Sequence, residues 1–314
     1  MKLTQVIRDY VDLKQAMGSR FHTEAVILKA FARSVGDLAI TAVTAEHVNA
    51  YVAGHGPVTR FWHHKHSVLQ GLYRFAIGRG YVPRSPLPTP PPTLQVVFTP
   101  YIYSPADLKQ LLQAVDACAH PRSQLSATTV RTLLLLLYGA ALRISEALAL
   151  TVADVDIAAD LLTIHTSKFY KTRWVPIGPR LRDTLATYAH ARPHDPSLHC
   201  PEAPFFLTRT GESVTRQQAE RVFRRVCAQA AVCRHDSPRY QPRLHDLRHT
   251  WAVHRLVAWY EEGADVQRLL PHLATYLGHR NIAATQCYLT MTPALLQAAS
   301  LRFAQYAQLE VHHG

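Results

Sequence analysis

The chain has 314 residues, enough for two domains that each bury a core. Its 34 Lys and Arg against 22 Asp and Glu leave a formal charge of +12, with 10 basic against 5 acidic residues before Pro83 and 24 against 17 after it, so both halves favour a polyanion, nucleic acid first. Five cysteines without CxxC spacing argue against a disulfide framework or zinc ribbon, and the most apolar run, 132–142, is cut by Arg143 and Glu146 before it could cross a bilayer, so a cytoplasmic protein without a signal peptide is expected.

Residues 1–82 carry helical spacing throughout. Leu3, Val6, Ile7, Tyr10 and Leu13 recur at i, i+3 and i+4, and Ala25, Leu28, Phe31 and Ala32 do the same. A third helix is expected near Thr44, with Glu46 in its first turn, and a fourth from about 58 to 79. The fourth sets Phe61, Val68, Leu72, Phe75 and Ala76 on one side and Arg60, His63, His64, Lys65 and Arg74 around the rest, making a small bundle with a basic face. On such a helix Arg60, His63, His64 and Lys65 read as facing a phosphate backbone rather than as a metal tract. Seven of the twenty prolines fall between Pro83 and Pro100, so that stretch cannot hold a helix and reads as a stiff connector. The expected organisation is a helical domain over 1–82, a linker over 83–100 and a second domain over 101–314.

Beyond the linker, Ser104, Pro105 and Asp107 open a capped helix with a Leu108, Leu111, Leu112, Val115 stripe. Residues 128–150 read as a buried helical region, with Arg143 at the end of its apolar run in LYGAALRISEALAL. Residues 161–165 and 173–177 read as paired strands joined by a basic turn holding Lys168, and 215–231 as a very basic amphipathic helix with Arg216, Arg221, Arg224 and Arg225. The remainder is helical, with Pro293 marking a break after Tyr288. The fold class is therefore mainly α with a small β-sheet: a helical N-terminal domain and a mixed α/β domain after it.

His245, Arg248 and His279 precede a lone tyrosine, Tyr288, nine residues past the last histidine. Breaking a phosphodiester by displacement builds negative charge on its nonbridging oxygens, needs an attacking oxygen, and needs a proton for the departing one. Guanidinium groups suit the first task because they grip two oxygens and stay charged, which singles out Arg143 and Arg248. A phenol is a poor nucleophile at neutral pH until a base takes its proton or cations stabilise the phenolate, so Tyr288 attacks and His245 is the expected proton acceptor. Lys168 is the expected acid for the leaving oxygen, with Lys171 and Arg173 as competitors, and His279 donates to the phosphate. His245 and His249 at i, i+4 would suit a zinc site, but Asp246 stands where the zinc-protease motif needs glutamate, so no metal is expected.

LRISE around Arg143, SKFYKTRWVPI around Lys168, LHDLRHT from Leu244, YLGH ending at His279 and TQCYLT around Tyr288 resemble, in order and spacing, the tyrosine recombinases and phage-type integrases. The resemblance covers roughly 100–300 strongly and makes the first domain similar in character to the family's core-binding domain. It implies site-specific cleavage and rejoining of DNA through a 3′-phosphotyrosyl ester that keeps the bond energy, so neither ATP nor a metal ion is implied. It carries over Arg143, Lys168, His245, Arg248, His279 and Tyr288, with Glu146 as a supporting partner of Arg143, and, from a helix that reaches the DNA groove, makes Arg216 and Gln217 base or phosphate contacts. Lys171 and Arg173 are further candidates for DNA contact. The implied partners are double-stranded DNA and three further copies of the chain, in a tetramer on two sites, with a monomer or weak oligomer when no DNA is bound. The segment after Pro293 would dock on a neighbouring subunit, and accessory proteins stay open. The chain is more similar in layout to Xer-like and mobile-element members than to lambda-like ones. A type IB topoisomerase and a non-cleaving regulator of the same fold are the alternatives; intact Arg143, Lys168, Arg248 and Tyr288 argue against the second.

Overall fold

The computed structural model describes residues 1–36, 38–53, 58–87, 99–118, 123–165, 172–193, 195–236, 240–279, 281–290, 297 and 300. The chain divides into two compact units, Met1–Phe98 and the described residues from Thr99 onward. No helix among the described residues is long and apolar enough to cross a membrane.

The first unit is built from α1 (Leu3–Ala16), α2 (His22–Val35), α3 (Ala45–Ala53) and α4 (Arg60–Gly78). Each turns one apolar stripe inward: Leu3, Val6, Ile7 and Tyr10 from α1, Ile27, Leu28 and Phe31 from α2, Val48 and Val52 from α3, and Val68, Leu69 and Leu72 from α4. Each of the larger side chains contributes roughly 1.5–3 kcal/mol on burial. Thr59 starts α4 by accepting a hydrogen bond from the Trp62 amide at 3.1 Å. A Cβ on Gly71 would strike the Tyr10 hydroxyl, so the close approach of α1 and α4 requires glycine there.

Two expectations for this unit change. Phe61 is 57% exposed, because Trp62, one residue on, takes the inward position and His66, a turn later, stacks on it at 5.3 Å and 11°. The basic face is partly consumed by packing. The Lys65 ammonium donates to the Tyr51 carbonyl at 2.9 Å and lies 4.4 Å from the centre of its ring, an attraction of cation for π face that competes with phosphate. His63 lies edge-on to Trp62 at 5.1 Å, and His63 and His64 are half-buried. Of the expected phosphate-facing set only Arg60 is exposed. Val82 and Leu87 pack into this core, so the stretch read as a connector from Pro83 begins inside the first unit; residues 88–98 lie outside the described ones.

The second unit comprises α5 (Pro105–Ala117), α6 (Ala127–Gly139), α7 (Ile144–Ala147), β1 (Val155–Asp156), β2 (Leu161–His165), β3 (Thr172–Pro176), α8 (Pro179–His190), α9 (Arg216–Gln229), α10 (Leu244–Glu261), α11 (Val266–Leu277) and α12 (Ala283–Gln286). The strands form one antiparallel sheet in the order β1-β2-β3, with Leu162 opposite both Val155 and Val175. Period-2 alternation drives Leu162, Ile164 and Val175 into the core that also takes Leu133, Leu136 and Leu137 of α6, Leu185 of α8 and Leu247 of α10. The Ser104 hydroxyl accepts from the Asp107 amide at 3.1 Å while the Asp107 carboxylate accepts from the Ser104 amide at 2.8 Å, the reciprocal cap that opens α5.

The region 128–150 is not one helix. It breaks after α6, and Ala141 adopts a left-handed φ of 51° before α7 begins. That conformation costs a residue with a Cβ about 1 kcal/mol or more. Its consequence is that Arg143 leaves the helical run and stands at the start of a new one.

Candidate active site

The end of α11 organises the site. The last carbonyls of a helix have no partner within it and carry its negative pole. Here three guanidinium groups take them: Arg173 Nε donates to Tyr276 O at 3.2 Å, Arg248 Nη2 to Leu277 O, and Arg143 Nη2 to Gly278 O at 3.3 Å. Gly278 closes the helix at φ 65°, with the His279 amide returning to Ala274 O at 2.9 Å. A Cβ at 278 would meet Arg173 Nη1 at 2.9 Å, so glycine is required both for the turn and for the guanidinium beside it.

Glu146 ties the same three arginines together. Its carboxylate accepts from Arg143 Nη1 at 2.6 Å and from the Arg143 amide at 2.9 Å, and from Arg173 Nη1 at 3.1 Å and Nη2 at 2.9 Å, with Arg248 Nη1 3.9 Å away. Arg248 is 1% exposed, and its Nη1 also donates to Ala141 O at 2.7 Å, which offsets the strain of the left-handed turn. Burial, then the neighbouring Arg143 charge, pushes the Arg248 pKa down to about 10, so it stays charged at neutral pH. Burial alone would raise the Glu146 pKa, but the hydrogen bonds and charges of Arg173 and Arg143 outweigh it and hold the carboxyl down at about 2. A carboxyl held below its unfolded value stabilises the fold in full above about pH 4.5, and that contribution is lost as pH falls through about 2. Glu146→Gln is therefore expected to lower stability at pH 7 by about 3 kcal/mol. In paired denaturation curves the gap from the parent should be constant from pH 7 to 5 and close as pH falls below about 4.

Tyr288 lies in the single 3-10 turn that follows α12 (Cys287–Thr290), and it is 2% exposed. Its ring sits between two histidines, 5.5 Å from the ring of His249 and 6.1 Å from that of His279, the latter nearly parallel at 19°. His279 Nδ1 is 2.8 Å from the buried Thr285 hydroxyl, which fixes the α12 turn to the end of α11. Burial raises the Tyr288 pKa, and the nearby Arg248 guanidinium partly offsets that rise. Burial also pushes His245, His249 and His279 each down to about 4, assisted by Arg248, so all three are neutral at physiological pH.

The structure brings Arg143, Arg248, His279, Tyr288 and Glu146 together, and it revises two placements. The Tyr288 hydroxyl is hydrogen bonded to His249 Nδ1 at 3.1 Å; His245 stands one turn earlier on α10, its ring packed edge-on against that of His249 at 4.7 Å. The i, i+4 spacing of His245 and His249, from which no metal site is expected, is the local signal that sets His249 on the same face of α10 as His245. Among the described residues no cluster of three or more His, Cys, Asp or Glu is placed to hold a metal. Arg173, expected to compete as acid and to touch DNA, is instead engaged by Glu146 and Tyr276 O, with its side chain only 13% exposed. Inward pointing on β3 decides this: Arg173 shares the core-facing side with Val175. Lys168 and Lys171, in the segment joining β2 to β3, lie outside the described residues, as does the segment after Pro293 apart from residues 297 and 300. Arg216 and Gln217 open α9 on the surface, where Arg216 pairs with Glu220 at 2.7 Å.

Residues 103–294 match the model of the phage integrase family. A protein assigned by name as integrase/recombinase y4rE, from Sinorhizobium fredii, is 33% identical over 96% of this chain and 95% of its own length. A second from the same organism, y4rB, is 38% identical, over 65% of each chain, and the tyrosine recombinase XerC of Bacillus subtilis is 26% identical over 74% of this chain and 71% of its own. Among solved structures, the Tn1549 transposon integrase in complex with a circular intermediate DNA shares the fold at a TM-score of 0.70, with 16% identity over 96% of this chain and 99% of that one. A lambda integrase tetramer bound to a Holliday junction shares it at a TM-score of 0.64, with 16% identity over 90% and 78%. With a family match across most of its length and a relative aligned nearly end to end, the chain belongs to the phage integrase family of tyrosine recombinases.

Proposed function

We propose that the chain cleaves and rejoins duplex DNA at specific sites by transesterification, with Tyr288 as the nucleophile. The observation that carries this reading is the single helix end whose carbonyls take Arg143 and Arg248 and which carries His279, its ring 6.1 Å from that of Tyr288. Three guanidinium groups against one carboxylate leave that pocket with positive charge in excess, matched to a phosphodiester that gains negative charge as it is attacked.

In the proposed reaction Arg143 and Arg248 hold the nonbridging oxygens. His279, with Nδ1 on Thr285, presents Nε2 to the same phosphate. Tyr288 gives its proton to a neutral histidine of α10, with His245 the expected acceptor and His249 Nδ1 in contact with the hydroxyl; its oxygen then forms a bond to phosphorus, and the bond to the 5′ oxygen breaks. Lys168, from the segment between β2 and β3, supplies the proton to that oxygen, with Lys171 as the alternative donor. The phosphotyrosyl ester conserves the energy of the broken bond, so a 5′-hydroxyl of a partner strand can reverse the step without ATP or a metal ion. Arg60 on the first unit and Arg216 and Gln217 on the second are the proposed DNA contacts. The proposed assembly is four copies on two duplexes.

The test uses two labelled duplexes carrying the element's own ends, together with a supercoiled plasmid lacking them. Strand exchange between the duplexes is expected. Relaxation of the plasmid by the protein acting alone, without exchange, would favour a topoisomerase instead.

A further inference from the structure

We propose that Arg173 is a positioning residue for cleavage: it neutralises Glu146 and pins the end of α11, so that Arg143 and Arg248 keep their charge for the phosphate. The inference rests on the reading that these two guanidinium groups bind the scissile phosphodiester. All three nitrogens of Arg173 are engaged, Nε with Tyr276 O at 3.2 Å and Nη1 and Nη2 with the two oxygens of Glu146 at 3.1 and 2.9 Å. Its side chain is 13% exposed where that of Arg143 is 36% exposed, so Arg143 is open to a ligand and Arg173 stands behind it. The strand fixes this arrangement. Arg173 lies opposite Ile164 of β2, and its guanidinium packs so close to Gly278 that a Cβ there would lie 2.9 Å from Nη1. One side chain thus ties the sheet to the helix end that carries His279.

Charge decides what this does for the reaction. Three guanidinium groups and one carboxylate leave the cluster at +2, and without Arg173 it falls to +1. A phosphodiester enters with one negative charge and gains a second as the phenol oxygen adds, so the larger excess favours the transition state over the bound substrate. Without Arg173, Glu146 would draw on Arg143 alone at hydrogen-bond distance, since Arg248 is 3.9 Å away. Burial raises the Glu146 pKa, and among the groups that bring it down the hydrogen bond and charge of Arg173 come before those of Arg143. A buried carboxylate deprived of its bidentate partner would pull the remaining cations toward itself and away from the ligand.

Single-turnover cleavage of a nicked duplex tests this with two scissile groups, an ordinary phosphodiester and a methylphosphonate, which carries one negative charge fewer throughout. Arg173→Gln is expected to slow phosphodiester cleavage about 10- to 100-fold. On the methylphosphonate the same substitution should cost no more than about threefold, because less charge then has to be matched. The double variant Glu146→Gln/Arg173→Gln leaves Arg143 and Arg248 without an opposing carboxylate, so it should cleave the phosphodiester about tenfold faster than Arg173→Gln. A residue needed only for folding would slow both substrates alike, and loss of a second buried side chain would not restore the rate. Equal slowing of the two substrates by Arg173→Gln, or a double variant no faster than the single one, would overturn the assignment. If Arg173→Gln does not fold, the double variant decides alone: phosphodiester cleavage within about tenfold of the parent supports the proposal, and slower cleavage contradicts it. Arg143→Ala, run in parallel, checks the reading beneath: parental cleavage there would remove Arg143 from the phosphate site, a result separate from anything seen at position 173.

Discussion

Arg248→Ala is expected to lose cleavage by at least about 100- to 1,000-fold and to cost about 2–5 kcal/mol of stability. The two losses have separate causes. Catalysis loses a charged fork at the phosphate. The fold loses the donor to Ala141 O and Leu277 O, two carbonyls that no helix hydrogen bond serves. Ala141 is then left in a strained left-handed conformation without the bond that compensates for it. Because its neighbours already disfavour the Arg248 charge, removing it relieves some repulsion, which keeps the expected loss below that of an isolated buried ion. Arg248→Lys should fall between parent and alanine, since one ammonium cannot serve both carbonyls and a phosphate. Urea denaturation gives the stability term, and cleavage of nicked DNA at a temperature where the variant is folded gives the chemical one. Parental cleavage in Arg248→Ala would remove this arginine from the proposed mechanism.

Tyr288→Phe is the opposite case: a complete chemical loss in a nearly unchanged fold. The ring is 2% exposed and keeps its contacts between His249 and His279; only the hydroxyl and its hydrogen bond disappear. Leaving His249 Nδ1 without that partner should cost about 1 kcal/mol. DNA affinity measured at one salt concentration should stay within a few-fold, because the phosphate contacts that dominate it are elsewhere. No protein–DNA adduct should survive denaturant. Gel retardation and denaturing gels on the same reaction separate the two quantities.

The two strongest cues in the sequence were local ones. The Ser104, Pro105, Asp107 cap and the alternation of Leu161–His165 depend on neighbours within a few residues, and both stand where spacing put them. The mainly helical class with a small sheet followed from the same periodicities. What periodicity misses is tertiary. The break comes where Gly139 ends α6, yet the left-handed residue is Ala141, two positions on, and the Arg248 hydrogen bond that stabilises it comes from 107 residues away. Lys65 reads as a phosphate contact until Tyr51, from another helix, is seen to occupy it. Arg173 reads as one more cation at the start of a strand; alternation sets it on the face of Val175, but only the tertiary fold shows that Glu146 meets it there. His245 and His249 differ by a single helical turn, so only the placement of Tyr288 decides which of them it meets.

Isolation of the covalent peptide tests the central claim most directly. The full chain is incubated with a nicked duplex of its recombination site in the presence of a chelator, digested, and mapped by mass spectrometry. A 3′-phosphate esterified to Tyr288, formed undiminished with the chelator present, is the expected result. An adduct on any other side chain, or cleavage that stops when divalent ions are removed, would contradict the account.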